Sequence, residues 1–151
     1  MLWTNRGKFL MLSWVFPRVA MPTNYYVALV TDAVAPTVDI NTLGELTEIA
    51  DGNGYTEGGY ELTPNDTDFD TTTEDDTLDK ASCQIKDLVW TAVAGPIPSA
   101  GDGARYAVLT DDNITVGSRQ VIAAWDLEAA RSCTATHSIT LQDCELRAIE
   151  P

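Results

Sequence analysis

Three aspartates at alternate positions, Asp66, Asp68 and Asp70, followed by Glu74, Asp75 and Asp76, form the densest set of hard oxygen ligands in the chain. That spacing begins an EF-hand calcium loop, which also requires a glycine at its sixth position and a bidentate glutamate at its twelfth. Counted from Asp66, those positions hold Thr71 and Thr77, so the EF-hand is excluded. Two readings remain. One is a looser Ca²⁺ site, because a hard cation relieves repulsion among clustered carboxylates. The other, which we adopt as the expectation, is a hydrated, outward-facing loop with no metal assigned.

The remaining chemistry-bearing residues are scattered. A glycosidase pair needs two acids flanking a cleft, one with a raised pKa. Asp87 and Asp143 come nearest, and both fall where a strand pattern slips, so outward turning at a bulge accounts for them. The single His137 precedes Ser138, but neighbours in a strand point to opposite faces, so the two cannot form a base–nucleophile pair there. His137 is expected at a turn or on the surface. Neither "GDGA" nor "DGNG" is followed by the Lys-Ser/Thr of a phosphate loop. Cys83, Cys133 and Cys144 are an odd set with no CxxC spacing, which excludes a disulfide scaffold and a zinc signature. They read as small half-buried hydrophobes, with a Cys133–Cys144 bridge as the one alternative. No catalytic residue and no cofactor are assigned, and the chain is expected not to be an enzyme.

Charge narrows the partners. The net charge is −14 over 151 residues, but residues 1–20 carry Arg6, Lys8 and Arg18 and no acid. Between Arg18 and Lys80 there is no Lys or Arg. So negative a body is repelled by phosphate backbones, which argues against nucleic acid and for solubility and basic partners. The opening segment "MLWTNRGKFLMLSWVFPRVAMP" superficially suits a secretory signal. Its apolar run is short, broken by Ser13, and followed by Pro17-Arg18 where a small-residue cleavage site should begin. We expect it to be retained, and no segment to span a membrane.

The elements that must position these residues are mostly strands. Tyr25 to Val30 is β-prone and apolar on both faces, which predicts a strand covered on both sides. Leu43, Leu46 and Ile49 at helical spacing, after a cap at Asn41 or Thr42, predict a short helix ended by the Asp51–Gly54 turn. Tyr55 and Tyr60 flank Gly58-Gly59 as in a hairpin or bulged strand. "ASCQIKDLVWTAV" and "HSITLQDCELRAI" each read as one strand with a bulge, at Lys86-Asp87 and at Asp143. "RYAVLTDDN" and "SRQVIAAWDL" supply two more, the latter with Val121, Ala123, Trp125 and Leu127 on one face. "YVALVTD" and "YAVLTDD" echo each other as two similar central strands. Five or six short strands between Gly/Pro/Asp turns predict an all-β sandwich or barrel over residues 23–151.

Residues 1–22 read as an N-terminal docking arm. Thr4 or Asn5 is a helix N-cap candidate, but an extended strand suits the segment equally. Trp3, Phe9, Trp14 and Phe16 crowd into this arm beside Arg6, Lys8 and Arg18. On a monomer these would make a large apolar patch, so the arm must pack over an open sheet of its own domain or insert into another chain. These seven residues are the candidate docking set.

The strings "TNRGK", "PTNYYVALVTDAVAPTVDINTLGELTEIADGNGYTEGGYEL", "TEDDTLDKASCQIKDLVWTAVAGPIPSAGDGARYAVLTDD" and "SRQVIAAWDL" resemble small virion structural proteins of tailed bacteriophages, over about Thr4 to Leu146. These are framework residues and not a catalytic signature. The resemblance implies a non-enzymatic β-domain assembled on a phage particle, with the virion as its location. Within it, a capsid decoration (cement) protein, docking through its N-terminal arm and one sheet face on major capsid subunits or on sister copies in a homo-oligomer, is the favoured reading. The alternative is a tail-fibre, spike or baseplate module that recognises a host surface through the Tyr55–Tyr60 and Gly95–Gly103 loops. The three cysteines belong to no pattern of the family.

Overall fold

The apolar run Tyr25–Val30 forms strand β2, and its alternate side chains enter two separate cores, as the two-sided pattern predicts. Val27 and Leu29 join the main core, while Ala28 and Val30 join a smaller one on the opposite face. The computed structural model describes residues 1–16 and 19–149. In chain order the other elements are β1 (Leu2–Trp3), α1 (Asn5–Val15), β3 (Tyr60–Leu62), β4 (Thr73–Asp75), β5 (Lys80–Gln84), β6 (Leu88–Thr91), β7 (Ala104–Thr110), β8 (Val121–Arg131), β9 (Ser138–Leu141) and β10 (Glu145–Ile149). The fold is all-β with one short helix, as the strand pattern predicts.

The largest sheet runs β1-β8-β7-β2-β3, every pairing antiparallel. The two echoing segments are neighbours within it, with Leu29 opposite Ala107 and Ala28 opposite Val108. The β7–β8 register slips between Leu109 and Thr110, which leaves Ile122 as an extra residue. Through this bulge Ile122 and Ala123 both reach the main core, whereas Val121 is displaced to the smaller one. The expected single face Val121–Ala123–Trp125 therefore splits at its first residue.

Facing this sheet across the main core is a two-stranded ribbon whose ladder breaks halfway. Each segment expected as one bulged strand is two strands: β5 and β10 pair within one sheet, and β6 and β9 within another. The break is more than a bulge because both chains interrupt together. Asp143 adopts φ +55°, which ends the ladder on one side, and the polar Lys86-Asp87 lies opposite. A single bond, Ile85 N–H to the Cys144 carbonyl at 2.8 Å, carries the pairing across the gap. Ile85, Leu88, Trp90, Ile139 and Leu141 project from this ribbon into the core. Asp87 and Asp143 point outward as expected, accepting from Gln142 (3.1 Å) and Gln84 (3.4 Å) respectively.

The helix expected around Leu43 shrinks to one 3-10 turn, Leu43–Glu45. Glu45 caps it by accepting from the Thr42 amide at 2.8 Å. After that the chain turns extended, because Ile49 N–H bonds the Leu29 carbonyl (3.0 Å) and Thr31 N–H the Thr47 carbonyl (2.8 Å) beyond the end of β3. Leu43 and Leu46 then seal the smaller core while Ile49 enters the main one. Helical spacing here reflects a loop draped over two cores.

The N-terminal segment resolves the strand-or-helix choice by using both. Leu2 and Trp3 add an edge strand to β8, opposite Ala124 and Ala123. Thr4 is the N-cap of α1: its hydroxyl accepts from Gly7 N–H at 2.8 Å and donates to the Val121 carbonyl at 2.5 Å. Gly7 sits directly on the Ile122 backbone, and Leu10 enters the main core. Of the two placements the sequence allows, the inner face of this segment takes the first, packing on its own domain.

Candidate functional site

The docking set divides into two groups, one on the outer side of α1 and one beneath it. On the outer side Phe9, Leu12, Val15 and Phe16 are 51%, 62%, 70% and 64% exposed, and Lys8 lies beside them. Phe9, Leu12 and Phe16 recur at i, i+3 and i+7, so they form one stripe along the helix. Leu12 and Val15 are absent from the sequence-derived set, which weighs aromatic and basic residues; the helical spacing alone would have added Leu12. Arg6 is half-buried, its Nε bonded to Gln120 Oε1 and its guanidinium 4.8 Å from the Phe9 ring centre. Arg18 lies outside the described residues.

Trp3 and Trp14 turn the other way. The Trp3 indole N–H donates to the Arg147 carbonyl at 2.5 Å, and Trp14 packs edge-to-face on Tyr25 at 6.0 Å. Tyr25 in turn meets Phe69 at 5.7 Å and 73°. These four rings wall a cleft of about 520 Å³ between α1, the main sheet and the acidic segment, with Met11, Cys83 and Leu146 between them and Asp66 and Asp70 in its lining.

The acidic segment is less uniform than an outward-facing loop. Asp66 and Asp70 are exposed, but Asp68 is only 7% exposed. Its carboxylate is ion-paired with Lys86 and accepts from the Thr63 amide at 2.8 Å. The Lys86 hydrogen bond, with help from that amide, holds the Asp68 carboxyl below the usual carboxylate range. The sequence hides this because Lys86 is eighteen residues away. Thr73–Asp75 is also not loop: it forms β4 against β5. Among the described residues, no group of three or more His, Cys, Asp or Glu is arranged to hold a metal ion.

The loops offered for stacking on sugars are otherwise engaged. Tyr55 is buried; its hydroxyl donates to Glu48 at 2.5 Å and accepts from the Leu29 amide at 2.9 Å. Tyr60 packs at 90° on Trp90, 6.0 Å away. Burial pushes the Glu48 carboxyl up, although Tyr55 and the Gly58 amide both donate to it. Beside this pair Arg119 is buried, stacked 3.6 Å over Tyr26 and donating to the carbonyls of Gly58 (2.9 Å) and Asn113 (3.2 Å). The 95–103 loop is tied to the Asp51–Gly54 turn through Asn53 Nδ2 and the Pro96 carbonyl at 2.9 Å.

His137 is exposed in the turn before β9, with its Nδ1 3.1 Å from the Thr134 hydroxyl. All three cysteines are free. No described helix is long and apolar enough to cross a membrane. Compared with known proteins, the chain matches no family model, no curated protein and no solved structure.

Proposed function

We propose that this chain is a non-enzymatic structural protein of a phage virion that docks on capsid subunits, as a decoration protein, through the outer stripe of α1. The observation that carries the reading is the placement of apolar exposure. Among the described residues, eight of the fourteen exposed large hydrophobics, from Met1 to Met21, fall in the first twenty-one positions. Scattered exposed leucines and valines need no explanation; a row on one helix does. Burying Phe9, Leu12, Val15 and Phe16 from their present exposure contributes about 1–2 kcal/mol each before association costs, enough for a docking ridge. Lys8, beside the stripe, suits an acidic rim on the partner.

The tail-fibre alternative is the less favoured reading, since Tyr55 and Tyr60 are engaged in hydrogen bonding and ring packing. Copy number separates the two locations. Immunogold labelling and band intensity on purified particles should place hundreds of copies on the head. Labelling confined to the tail tip would overturn the decoration reading, and particles that lack the protein would overturn the virion reading. In the favoured case, Leu12→Asp with Phe16→Asp should leave a folded, soluble chain that no longer binds particles.

A further inference from the structure

The cleft beneath α1 is separate from the outer stripe and has its own chemistry. Its rings come from four different elements: Trp3 from β1, Trp14 from α1, Tyr25 from β2 and Phe69 from the acidic segment. Successive rings stand nearly perpendicular, at 75° between Trp14 and Tyr25 and 73° between Tyr25 and Phe69, so they form walls and not a stack. Asp66 and Asp70 complete the lining, and no basic side chain among the described residues contributes to it. Lys86, beside the acidic segment, is withdrawn to Asp68 and to the Tyr60 ring, 5.1 Å away, and Lys80 lies 3.9 Å from Glu145. Negative charge also reaches the cleft from below, where Asp112 and Asp111 add to burial in pushing the Tyr25 hydroxyl up.

We propose that this aromatic-walled, carboxylate-rimmed cleft binds a small organic cation whose charge is spread over alkyl groups, a quaternary ammonium group. Ring faces attract such a cation through their quadrupoles, and its weak hydration makes entry between apolar walls cheap. The two carboxylates add long-range attraction without requiring direct coordination. A hard metal ion suits the cleft poorly, since it needs several converging oxygens. Among the described residues an anion finds no base there. The Trp3 indole N–H, one donor a sugar would use, already serves the Arg147 carbonyl.

The inference does not rest on particle assembly, so it is tested on the purified full-length chain. Choline and its neutral isostere 3,3-dimethylbutan-1-ol are titrated while tryptophan fluorescence and amide NMR shifts are followed. Choline should give a saturable change, with the isostere at least about tenfold weaker. Asp66→Asn with Asp70→Asn, both exposed positions, should weaken choline by about threefold to tenfold without changing the melting temperature. Trp14→Ala should abolish binding, and Phe9→Ala on the outer stripe should leave it unchanged. Equal affinity for the two ligands, no saturation by choline up to about 50 mM, or an equal loss on Phe9→Ala would each overturn the assignment.

Discussion

Replacing Gly7 with alanine should destabilise this protein, against the ordinary expectation for a helix. In a solvent-exposed helix interior the same change gains about 1 kcal/mol, because alanine is the better helix former. Here a Cβ at Gly7 would lie 2.8 Å from the carbonyl carbon of Ile122 and 2.9 Å from its Cα, closer still to its oxygen. Those atoms are backbone in a bulged sheet strand and cannot rotate aside. The helix must therefore back off by about 1 Å, at the overpacking cost of roughly 1–3 kcal/mol. Retreat also loosens Leu10, which is 3% exposed, and strains the Thr4 cap, worth about 1 kcal/mol. After subtracting the propensity gain, the net loss is about 1–3 kcal/mol, or a melting temperature lower by roughly 3–10 °C for a domain of this size. Urea unfolding followed by tryptophan fluorescence measures it, with Lys8→Ala as the exposed control expected within about 0.5 kcal/mol of wild type. A Gly7→Ala chain as stable as wild type, or more so, would refute the close helix–sheet contact and with it the packing of the N-terminal segment.

Stability should fall as pH drops below about 4. The carboxyls of Asp68, Glu45 and Glu145 are held down, mainly by the Lys86 bond, by the Thr42 amide and by the Ser82 hydroxyl in turn. Their contribution is complete above the ordinary carboxylate range and disappears as pH falls through the lowered folded values. Glu48 has the opposite sign, because burial raises it: its contribution is present at low pH and lost as pH rises through the raised value. Glu48→Gln should therefore flatten the neutral side of the stability–pH curve and leave the acid limb in place, as read by thermal melts across pH 3–8. Arg119→Ala should cost about 2–4 kcal/mol in urea unfolding, since it orphans the Gly58 and Asn113 carbonyls and uncovers Tyr26. Arg119→Lys should recover little of this, as an ammonium cannot stack and reach both carbonyls together. Cys144, buried with its thiol pushed up to about 11 by that burial, should resist alkylation until the protein unfolds. Peptide mapping after brief iodoacetamide treatment checks this.

The strand content was legible because β6 and β9 alternate buried with exposed residues, while β2 and β7 are near-continuous apolar runs, and β2 even announced its two covers. Other features depend on contacts distant in sequence. The 3-10 turn at Leu43 gives way to extended chain because the end of β2 offers backbone partners, which no local spacing reveals. The ribbon breaks at Lys86-Asp87 and Asp143 were visible singly as bulges, but only their alignment across two strands turns them into a change of sheet. Asp68 looked like its neighbours until Lys86 was folded against it. In the N-terminal segment the aromatic and basic residues were visible as a group. What the sequence withheld was the helix phase, which sends Trp14 into a cleft beside Trp3 of β1 and leaves Phe9 and Phe16 outside.

The edge strand β1 has a bearing on how this chain can be handled. It is only two residues long, yet it covers the backbone of β8 at Ala123 and Ala124, beside the apolar centre of the sheet. An uncovered strand there is a template for another chain to pair with, and the short β1 blocks it as a plug would. Trimming Met1–Trp3, or crowding them with a bulky N-terminal fusion, would free that edge. The expected consequence is concentration-dependent aggregation of an otherwise folded body, in spite of a net charge of −14.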